Sequence, residues 1–465
     1  YYILQDRTSS KEFDMPFNTL VQEKILDFER LGIPLVFERD MGLLPIQKPM
    51  RNNLAQVVVG TRRCGKTYRL FQEMHDVLRA GYDAQNLLYF NFEDERLKPY
   101  SSELLSDVVD TFFAMRPSAK VDGCFLFFDE IQEVPEWSTF LRRLIDSEKV
   151  TVYVTGSSSK MLSAELASEF RGRSISRELF PLSFKEFVRY TTGESPSLSG
   201  GLSSCDNAVL RNALQDYLIR GGYIAALSLP APEGMMLMQE YAYRTVAMDV
   251  VERYNLRTPQ VAVSFLSRCL ASSARELSVN RVTNEFKSRG VSTSRETLGS
   301  LLSYYEEAYL LFSLGDLSRS LADNSRSSAK VYAVDPGMFV AFSRATSRED
   351  GQRLETVVYD KLRRGASDAR LGSIARLTFS HEGRSHEIDF VSGDALLGDV
   401  YSLVQVSVGM DDQRTRAREL GALEAAMGKY GITESTVVTM DSEETIMTGS
   451  GVINILPAWK WLLDS

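Results

Sequence analysis

The chain has 465 residues, of which 44% are hydrophobic and 25% are charged, and its formal net charge is −9. This length exceeds one compact core, so we expect a folded protein of two to four domains. Its four cysteines lack CxxC spacing, which argues against a zinc site or a disulfide framework and favours a reducing cytoplasmic location. No run approaches the ~20 apolar residues of a membrane span. The acidic balance argues against a dedicated nucleic-acid-binding protein.

The first half of the chain carries the pattern of a parallel α/β sheet. After a predicted helical N-terminal extension over residues 1–50, short apolar runs alternate with segments of helical period. Four strands and a weaker fifth are predicted at 55–60, 86–92, 123–130, 150–156 and 173–179. Helices are predicted between them, around 66–78, 102–114 and 137–146. We therefore predict an α/β domain over residues 51–182.

A glycine-rich loop lies between the first predicted strand and the first predicted helix. Its sequence is GTRRCGKT, residues 60–67. Glycines at 60 and 65 let backbone N–H groups face a phosphate, and the helix that follows adds its positive N-terminal end. Lys66 could then reach the β- and γ-phosphates of ATP, while the Thr67 hydroxyl could bind Mg²⁺. A glycine-rich turn could match by chance, but the flanking strand and helix favour nucleotide binding by Gly60, Arg63, Gly65, Lys66 and Thr67.

Two acids end a buried apolar run later in the chain. The segment CFLFFDEIQ (124–132) places Asp129 and Glu130 at the carboxyl end of a predicted strand, where open α/β sheets bind ligands. Acids also end strands for no functional reason, but the phosphate loop strengthens the functional interpretation. We predict that Asp129 holds Mg²⁺ and that Glu130 orients and deprotonates the attacking water.

Two further segments have catalytic interpretations. VTGSSS (154–159) ends the next apolar run, and Ser157 or Ser158 could contact the γ-phosphate or water. The alternative is that this serine caps a helix that starts near residue 160. Arg171 and Arg173 follow, and a guanidinium there could neutralise transition-state charge in a neighbouring subunit. A solvated surface pair is the alternative.

Beyond residue 182 the chain predicts helices and then a mixed α/β region. We expect a helical lid over 183–256 and a winged-helix-like domain over 257–330, in which Thr293 and Glu296 form a capping box. Residues 275–297 carry five basic and three acidic side chains, too small an excess to establish DNA binding. In the last part, residues 331–465, we predict a helix at 355–364, strands at 375–380, 386–393 and 401–409, a helix at 414–429 and a strand at 435–440.

Several of these motifs together resemble a prokaryotic family of AAA-type ATPases that carry a C-terminal domain of unknown function. The matching segments are GTRRCGKT (60–67), FNFEDERL (90–97), FFDEIQ (127–132), TGSSSKML (155–162), FRGRSISRELFPLSFKEF (170–187), LIRGGYIAAL (218–227) and VYAVDPGM (331–338). The resemblance implies an ATPase core in which the strand with the acid pair lies beside the strand ending in TGSSS. It also implies a helical and winged-helix middle, and a C-terminal fold related to PD-(D/E)xK nucleases.

The C-terminal segment departs from the nuclease pattern that the resemblance implies. Glu355 and Asp389 match its acidic positions, but Gln405 and Ser407 stand where the ExK motif would have its glutamate and lysine. We therefore expect a degenerate domain that docks protein or nucleic acid and does not cut it.

The predicted activity is Mg²⁺-dependent ATP hydrolysis, coupled through the C-terminal domains to a protein or nucleic-acid partner. A homo-oligomer is expected because an arginine acting in trans needs a neighbour. Two other functions stay open: a nucleotide-switched binding module with slow turnover, and an ATP-dependent nuclease.

Overall fold

The computed structural model describes residues 19–157, 172–196, 201–317, 328–343, 349–366, 373–394 and 399–464. Its first sheet has five strands, of which the first four are apolar runs of the sequence and the fifth is more polar. They are β1 (Ala55–Val59), β2 (Leu87–Asn91), β3 (Cys124–Asp129), β4 (Val150–Gly156) and β5 (Ser174–Glu178). All five predicted strands are confirmed.

The strands of this sheet lie in the order β2-β3-β4-β1-β5 and all run parallel. Every residue of β1, β3 and β4 is buried, as expected when helices cover both faces of a parallel sheet. Parallel strands end at one edge, so the segments that follow β1, β3 and β4 meet there. The strand with the acid pair lies beside β4, as the resemblance implied.

Six helices surround the first sheet or follow it directly, and three of them are the predicted ones. They are α1 (Thr19–Leu31), α2 (Lys66–Arg79), α3 (Leu104–Met115), α4 (Pro117–Asp122), α5 (Trp137–Ser147) and α6 (Phe184–Thr192). Short 3₁₀ turns occur at Ala84–Asn86, Glu95–Leu97 and Ile131–Glu133. The predicted helical extension over residues 1–50 is wrong for residues 32–49, which lie between α1 and β1 and form neither helix nor strand.

The next part of the chain is helical, as predicted. It contains α7 (Ser204–Arg220), α8 (Ile224–Leu227) and α9 (Ala231–Thr245), and α9 continues into a π-helical turn, Val246–Glu252. Gly221 and Gly222 separate α7 from α8. A Cβ at Gly221 would lie 1.8 Å from an Asp335 carboxylate oxygen, and one at Gly222 would lie 2.3 Å from the Leu182 carbonyl oxygen. These glycines therefore permit a close approach that no larger residue allows.

A small three-stranded antiparallel sheet follows, packed with three helices around its own apolar cluster. The helices are α10 (Pro259–Leu270), α11 (Val279–Ser288) and α12 (Arg295–Glu307), and the strands are β6 (Arg275–Leu277), β7 (Leu311–Leu314) and β8 (Ala329–Ala333). The predicted Thr293–Glu296 capping box is wrong: Ser294 caps α12, since its hydroxyl accepts the Thr297 N–H. The helix therefore starts one residue later than a Thr293 cap requires.

The C-terminal part contains a six-stranded mixed sheet in the order β13-β14-β12-β11-β10-β9. The strands are β9 (Ser373–His381), β10 (Arg384–Asp394), β11 (Asp399–Val406), β12 (Glu434–Thr439), β13 (Glu444–Thr448) and β14 (Gly451–Pro457). Its helices are α13 (Pro336–Phe342), α14 (Asp350–Ala366), α15 (Gln413–Tyr430) and α16 (Ala458–Leu463). The predicted helix, three strands, helix and strand are confirmed, and β13, β14 and α16 extend them. One apolar cluster joins this sheet to the first, because it includes Phe390 and Trp459 as well as Phe187.

Among the helices that the structure describes, none is long and apolar enough to cross a membrane.

Candidate functional site

The loop after β1 has the backbone geometry of a phosphate-binding loop. Gly60 has φ +150°, and a Cβ there would lie 2.0 Å from the Leu179 carbonyl oxygen. Arg63 has φ +68°, and Gly65, with φ +101°, caps α2. Three residues in positive-φ conformations curl the chain tightly, so the loop reverses direction and enters α2 at Lys66. The N-terminal end of this 14-residue helix therefore faces the cleft above the sheet.

Lys66 extends from the start of α2 into this cleft and is buried. Its ammonium donates to the carbonyl oxygens of Gly60 and Thr61, each at 3.3 Å, and lies 3.4 Å from a Glu130 carboxylate oxygen. Burial by itself lowers the pKa of Lys66, but the charge of Glu130 raises it above its usual value. Lys66 is therefore a permanent cation in the cleft.

Asp129, at the end of β3, accepts hydrogen bonds from three neighbouring elements. Its carboxylate accepts from Thr67 at 2.8 Å, from Tyr89 at 3.0 Å and from the Thr155 hydroxyl. Burial and the charge of Glu130 raise its pKa, and these hydrogen bonds oppose the rise. The predicted Mg²⁺ ligands Thr67 and Asp129 are thus in direct contact.

Glu130 follows Asp129 in a left-handed conformation, with φ +52°. Its N–H donates to Thr155 Oγ1 at 3.0 Å, and its carboxylate accepts from Gln132 at 2.6 Å. Burial would raise its pKa, but Lys66, Gln132 and Arg62 bring the pKa below its usual value. Glu130 is therefore ionised at neutral pH, as a general base must be.

The cleft above these residues has a volume of about 520 Å³. The phosphate loop and the ends of β2 and β3 form one wall, while α8 and α9 form the other. Its lining is charged near the loop and apolar away from it, and includes Leu35, Phe37, Arg62, Arg63, Lys66, Thr67, Glu93, Asp129, Glu130, Ile224, Ala225, Tyr241 and Arg244. This combination suits a ligand with a charged end and an apolar ring.

Four of the predicted residues need separate description. Ser157 follows β4; it is buried, and its hydroxyl has no hydrogen-bond partner among the residues that the structure describes. Arg173 lies just before β5, at the amino edge of the sheet opposite the phosphate loop, and pairs with Asp146. Ser158 and Arg171 lie outside the described residues. Arg173 therefore lies far from the cleft of its own chain.

The sequence interpretation missed several residues of the site. Tyr89 and Thr155 bind Asp129, but both lie inside apolar runs that read as ordinary strand. Asp249, on the π-helical turn after α9, binds Arg62 through two hydrogen bonds. The spacing of Asp129 from the phosphate loop could have signalled its contacts with Tyr89 and Thr155. By contrast, nothing in the sequence near Asp249 indicates a contact with Arg62, 187 residues away.

Arg39 was also missed, and it holds residues 32–49 against the back of the phosphate loop. Its guanidinium donates to the Cys64 carbonyl oxygen at 3.0 Å and to the Phe180 carbonyl oxygen at 2.8 Å. It also pairs with both Glu186 carboxylate oxygens, at 2.9 and 3.0 Å. This buried pair supports the loop, and Arg39 also lines the cleft.

The chain matches two family models over parts of its length, and several proteins described as uncharacterized over more of it. A model described as an AAA domain matches residues 52–188, and a domain of unknown function (DUF8612) matches residues 211–349. The uncharacterized protein MJ1544 of Methanocaldococcus jannaschii is 31% identical over 455 residues, covering 96% of this chain and 95% of that protein. An uncharacterized protein of Haemophilus influenzae is 23% identical over 411 residues, covering 88% and 94%.

Solved structures also resemble part of the chain. The Orc1 protein of Aeropyrum pernix, solved with DNA, has 15% identity and a TM-score of 0.28, and the match covers 64% of this chain and 87% of that one. Cdc6p of Pyrobaculum aerophilum has 14% identity and a TM-score of 0.24, with 57% and 82% covered. TM-scores this low support no functional argument. The AAA-domain match includes the phosphate loop and both acids, and the match over nearly the whole archaeal protein shows that this chain belongs to the same family as MJ1544.

Proposed function

We propose that the chain binds ATP with Mg²⁺ in the cleft beside the phosphate loop and hydrolyses it to ADP and phosphate. The observation that carries this proposal is the convergence of Lys66, Thr67, Asp129 and Glu130 at one edge of the sheet. Each has the chemistry that one part of the reaction requires: a cation for phosphate, oxygen ligands for a metal, and an ionised base.

The residues present fit a magnesium ion. The Thr67 hydroxyl and the Asp129 carboxylate, 2.8 Å apart, would hold it, with phosphate oxygens and water as further ligands. No group of three or more candidate metal-binding side chains occurs among the described residues. That agrees with the usual magnesium site, which takes one or two carboxylates plus substrate phosphates. When bound, the ion neutralises phosphate charge.

In the proposed reaction, water attacks the γ-phosphorus, and the bond to the oxygen that bridges the β- and γ-phosphates breaks. Glu130 orients this water and accepts its proton. Lys66 neutralises charge on the phosphates, and its long hydrogen bonds to the loop carbonyls are weak enough to exchange. We assign Ser157 to the γ-phosphate or the water, since its buried hydroxyl otherwise has no partner in the described residues.

The test is steady-state phosphate release from ATP with Mg²⁺ and with EDTA. We expect turnover that needs the metal and falls at least ~100-fold in Glu130→Gln, because an amide cannot take the proton. ATP binding without measurable turnover in the unchanged protein would contradict hydrolysis and favour a nucleotide-switched binding module.

We further propose that turnover rearranges the C-terminal domains against a protein or nucleic-acid partner. The contact between Asp335 and the Gly222 N–H, at 2.7 Å, supports a mechanical link. Gly222 lies two residues before Ile224, which lines the cleft with Ala225, and Asp335 caps α13. A displacement of α8 by nucleotide would therefore reach the C-terminal part.

The C-terminal sheet, in this proposal, docks its partner and does not cut it. Lys330 on β8 places its ammonium 2.5 Å from Glu355 and 3.5 Å from Asp389. Its single charge pairs with both acids that a nuclease would use for a metal, so a divalent cation would have to displace it. The Gln405 amide donates a hydrogen bond to a Glu419 carboxylate oxygen at 2.6 Å, and the Ser407 hydroxyl donates to the Gly409 carbonyl oxygen at 2.8 Å.

Incubation with DNA and RNA in Mg²⁺ or Mn²⁺, with and without ATP, tests this assignment. We expect no cleavage. Cleavage by the unchanged protein that disappears in Asp389→Ala would show that the site is active, with Lys330 as the lysine that β11 lacks.

A further inference from the structure

Arg62 belongs to the phosphate loop, but the mechanism above gives it no role. Its Nε and Nη2 donate to the two Asp249 carboxylate oxygens at 2.7 and 3.1 Å. Its Nη1 lies 3.2 Å from a Glu93 carboxylate oxygen. The guanidinium therefore connects three segments: the phosphate loop, the π-helical turn after α9, and the segment that follows β2.

The two sides of this guanidinium are held with very different strength. Asp249 is 2% exposed, and its other guanidinium contact is with Arg253, at 3.4 Å. Taking Arg62 away would leave a buried carboxylate poorly compensated, which is strongly unfavourable. The Glu93 side chain is 47% exposed, so water can replace Arg62 at little cost. The hydrogen bonds between Arg62 and Asp249 thus stay in place, whereas the contact between Arg62 and Glu93 can be exchanged.

Nη1 of Arg62, the atom that contacts Glu93, lies where the phosphates of ATP would bind in the proposed function. Arg62 lines the cleft with Lys66 and Glu130. Burial by itself lowers the pKa of Arg62, but Asp249, Glu130 and Glu93 raise it, so the side chain stays charged. Arg62 is also among the groups that lower the pKa of Glu130, which puts its charge within range of the proposed base.

We propose that Arg62 binds the γ-phosphate of ATP through Nη1, leaving Glu93, while Asp249 keeps the other side of the guanidinium in place. Asp249 is then a positioning residue, since it acts through Arg62. ADP has no γ-phosphate and leaves the Glu93 pair intact. The Arg62–Glu93 pair thereby distinguishes the two nucleotides. This inference rests on the proposed function, because it needs ATP in this cleft.

The experiment compares the dissociation constants of ADP and of β,γ-imido-ATP, which is not hydrolysed, by calorimetry. Arg62→Ala should weaken binding of the ATP analogue by ~10- to 100-fold, the value of a charge-assisted hydrogen bond, and leave ADP binding nearly unchanged. Glu93→Gln should tighten binding of the analogue ~2- to 5-fold by removing a competitor. Glu95→Gln, an exposed acid in the same segment, is the matched control and should change neither constant.

Asp249→Asn tests the positioning role, because the amide keeps the shape but not the charge. The ratio of the two dissociation constants should shift toward that of Arg62→Ala, an effect that general destabilisation would not produce. If this variant fails to fold, the effect of Glu93→Gln on the dissociation constant of the ATP analogue still tests the proposal. Equal weakening of ADP and the analogue in Arg62→Ala, or no effect of Glu93→Gln, would overturn the inference while leaving nucleotide binding intact. Failure of the unchanged protein to bind either nucleotide would overturn the proposed function as well.

Discussion

Asp129 and Glu130 are adjacent acids whose pKa values shift in opposite directions. Both are buried, which favours the neutral form of each. Lys66 lies 3.4 Å from Glu130 and reverses that effect, whereas Asp129 depends on hydroxyl donors to hold its charge. Thr155 serves both residues, because its hydroxyl donates to Asp129 and accepts the Glu130 N–H. One side chain of β4 therefore supports the proposed metal ligand and the proposed base together.

Thr155→Val should destabilise the protein by ~1–3 kcal/mol, because two buried polar groups lose their partner. Turnover should fall as well, since Asp129 and Glu130 are no longer held in place. Thr155→Ser keeps the hydroxyl and is the control, expected to stay near the unchanged protein in both respects. Urea unfolding and phosphate release measure the two effects. Equal stability of the Val and Ser variants would show that the hydroxyl has no such role.

At the scale of elements, the first sheet was predictable because its signals are local. The strand, loop and helix around residues 55–79 carry apolar runs, glycines and helical period in immediate succession. Residues 32–49 have no period, and the prolines Pro34, Pro45 and Pro49 interrupt them. The predicted helical extension is therefore wrong there, and the contact of Arg39 with the phosphate loop depends on packing between distant segments. The same holds for Lys330, which reaches Glu355 and Asp389 from a different sheet.

The Arg39–Glu186 pair should make a measurable pH-dependent contribution to stability. Burial would raise the pKa of Glu186, but Arg39 and its other hydrogen bonds lower it to about 2. A lowered carboxyl pKa stabilises the fold above the unfolded value of 4.5, and this contribution is lost as the pH falls from 4.5 toward 2. A shift of this size corresponds to ~3 kcal/mol.

Glu186→Gln should therefore lower the free energy of unfolding by ~3–5 kcal/mol at pH 7, because Arg39 stays buried without its partner. The difference from the unchanged protein should narrow below pH 4.5. Urea unfolding at a series of pH values measures it. Glu38→Gln breaks an exposed pair with Arg79 and should have little effect at any pH. A difference in unfolding free energy between Glu186→Gln and the unchanged protein that does not depend on pH would contradict the assignment of a charged Glu186 carboxylate.

At the scale of the whole molecule, the position of Arg173 determines whether its proposed catalytic role needs a second chain. It precedes β5, whose register with β1 puts it at the edge of the sheet away from the loop. Five residues of strand separate the two edges, a distance of ~17 Å. Arg173 cannot serve the cleft of its own chain, so a catalytic role requires a neighbouring subunit.

If Arg173 acts in trans, turnover per chain should rise with protein concentration. Arg173→Ala and Glu130→Gln, each slow alone, should regain activity when mixed, because one interface then joins an intact arginine to an intact base. The concentration series and the mixing series are read by phosphate release. Turnover that is independent of concentration, in a protein that stays monomeric, would exclude the trans role.

The most direct test of ATP binding in this cleft is calorimetric titration of ATP into the unchanged protein, Glu130→Gln and Lys66→Ala. We expect one ATP per chain in the first two, because Glu130 is assigned to the water and not to the phosphates. Lys66→Ala should bind at least ~10-fold more weakly, since the phosphates lose a charge-assisted contact. Unchanged affinity in Lys66→Ala, or the same loss of affinity in both variants, would contradict the account.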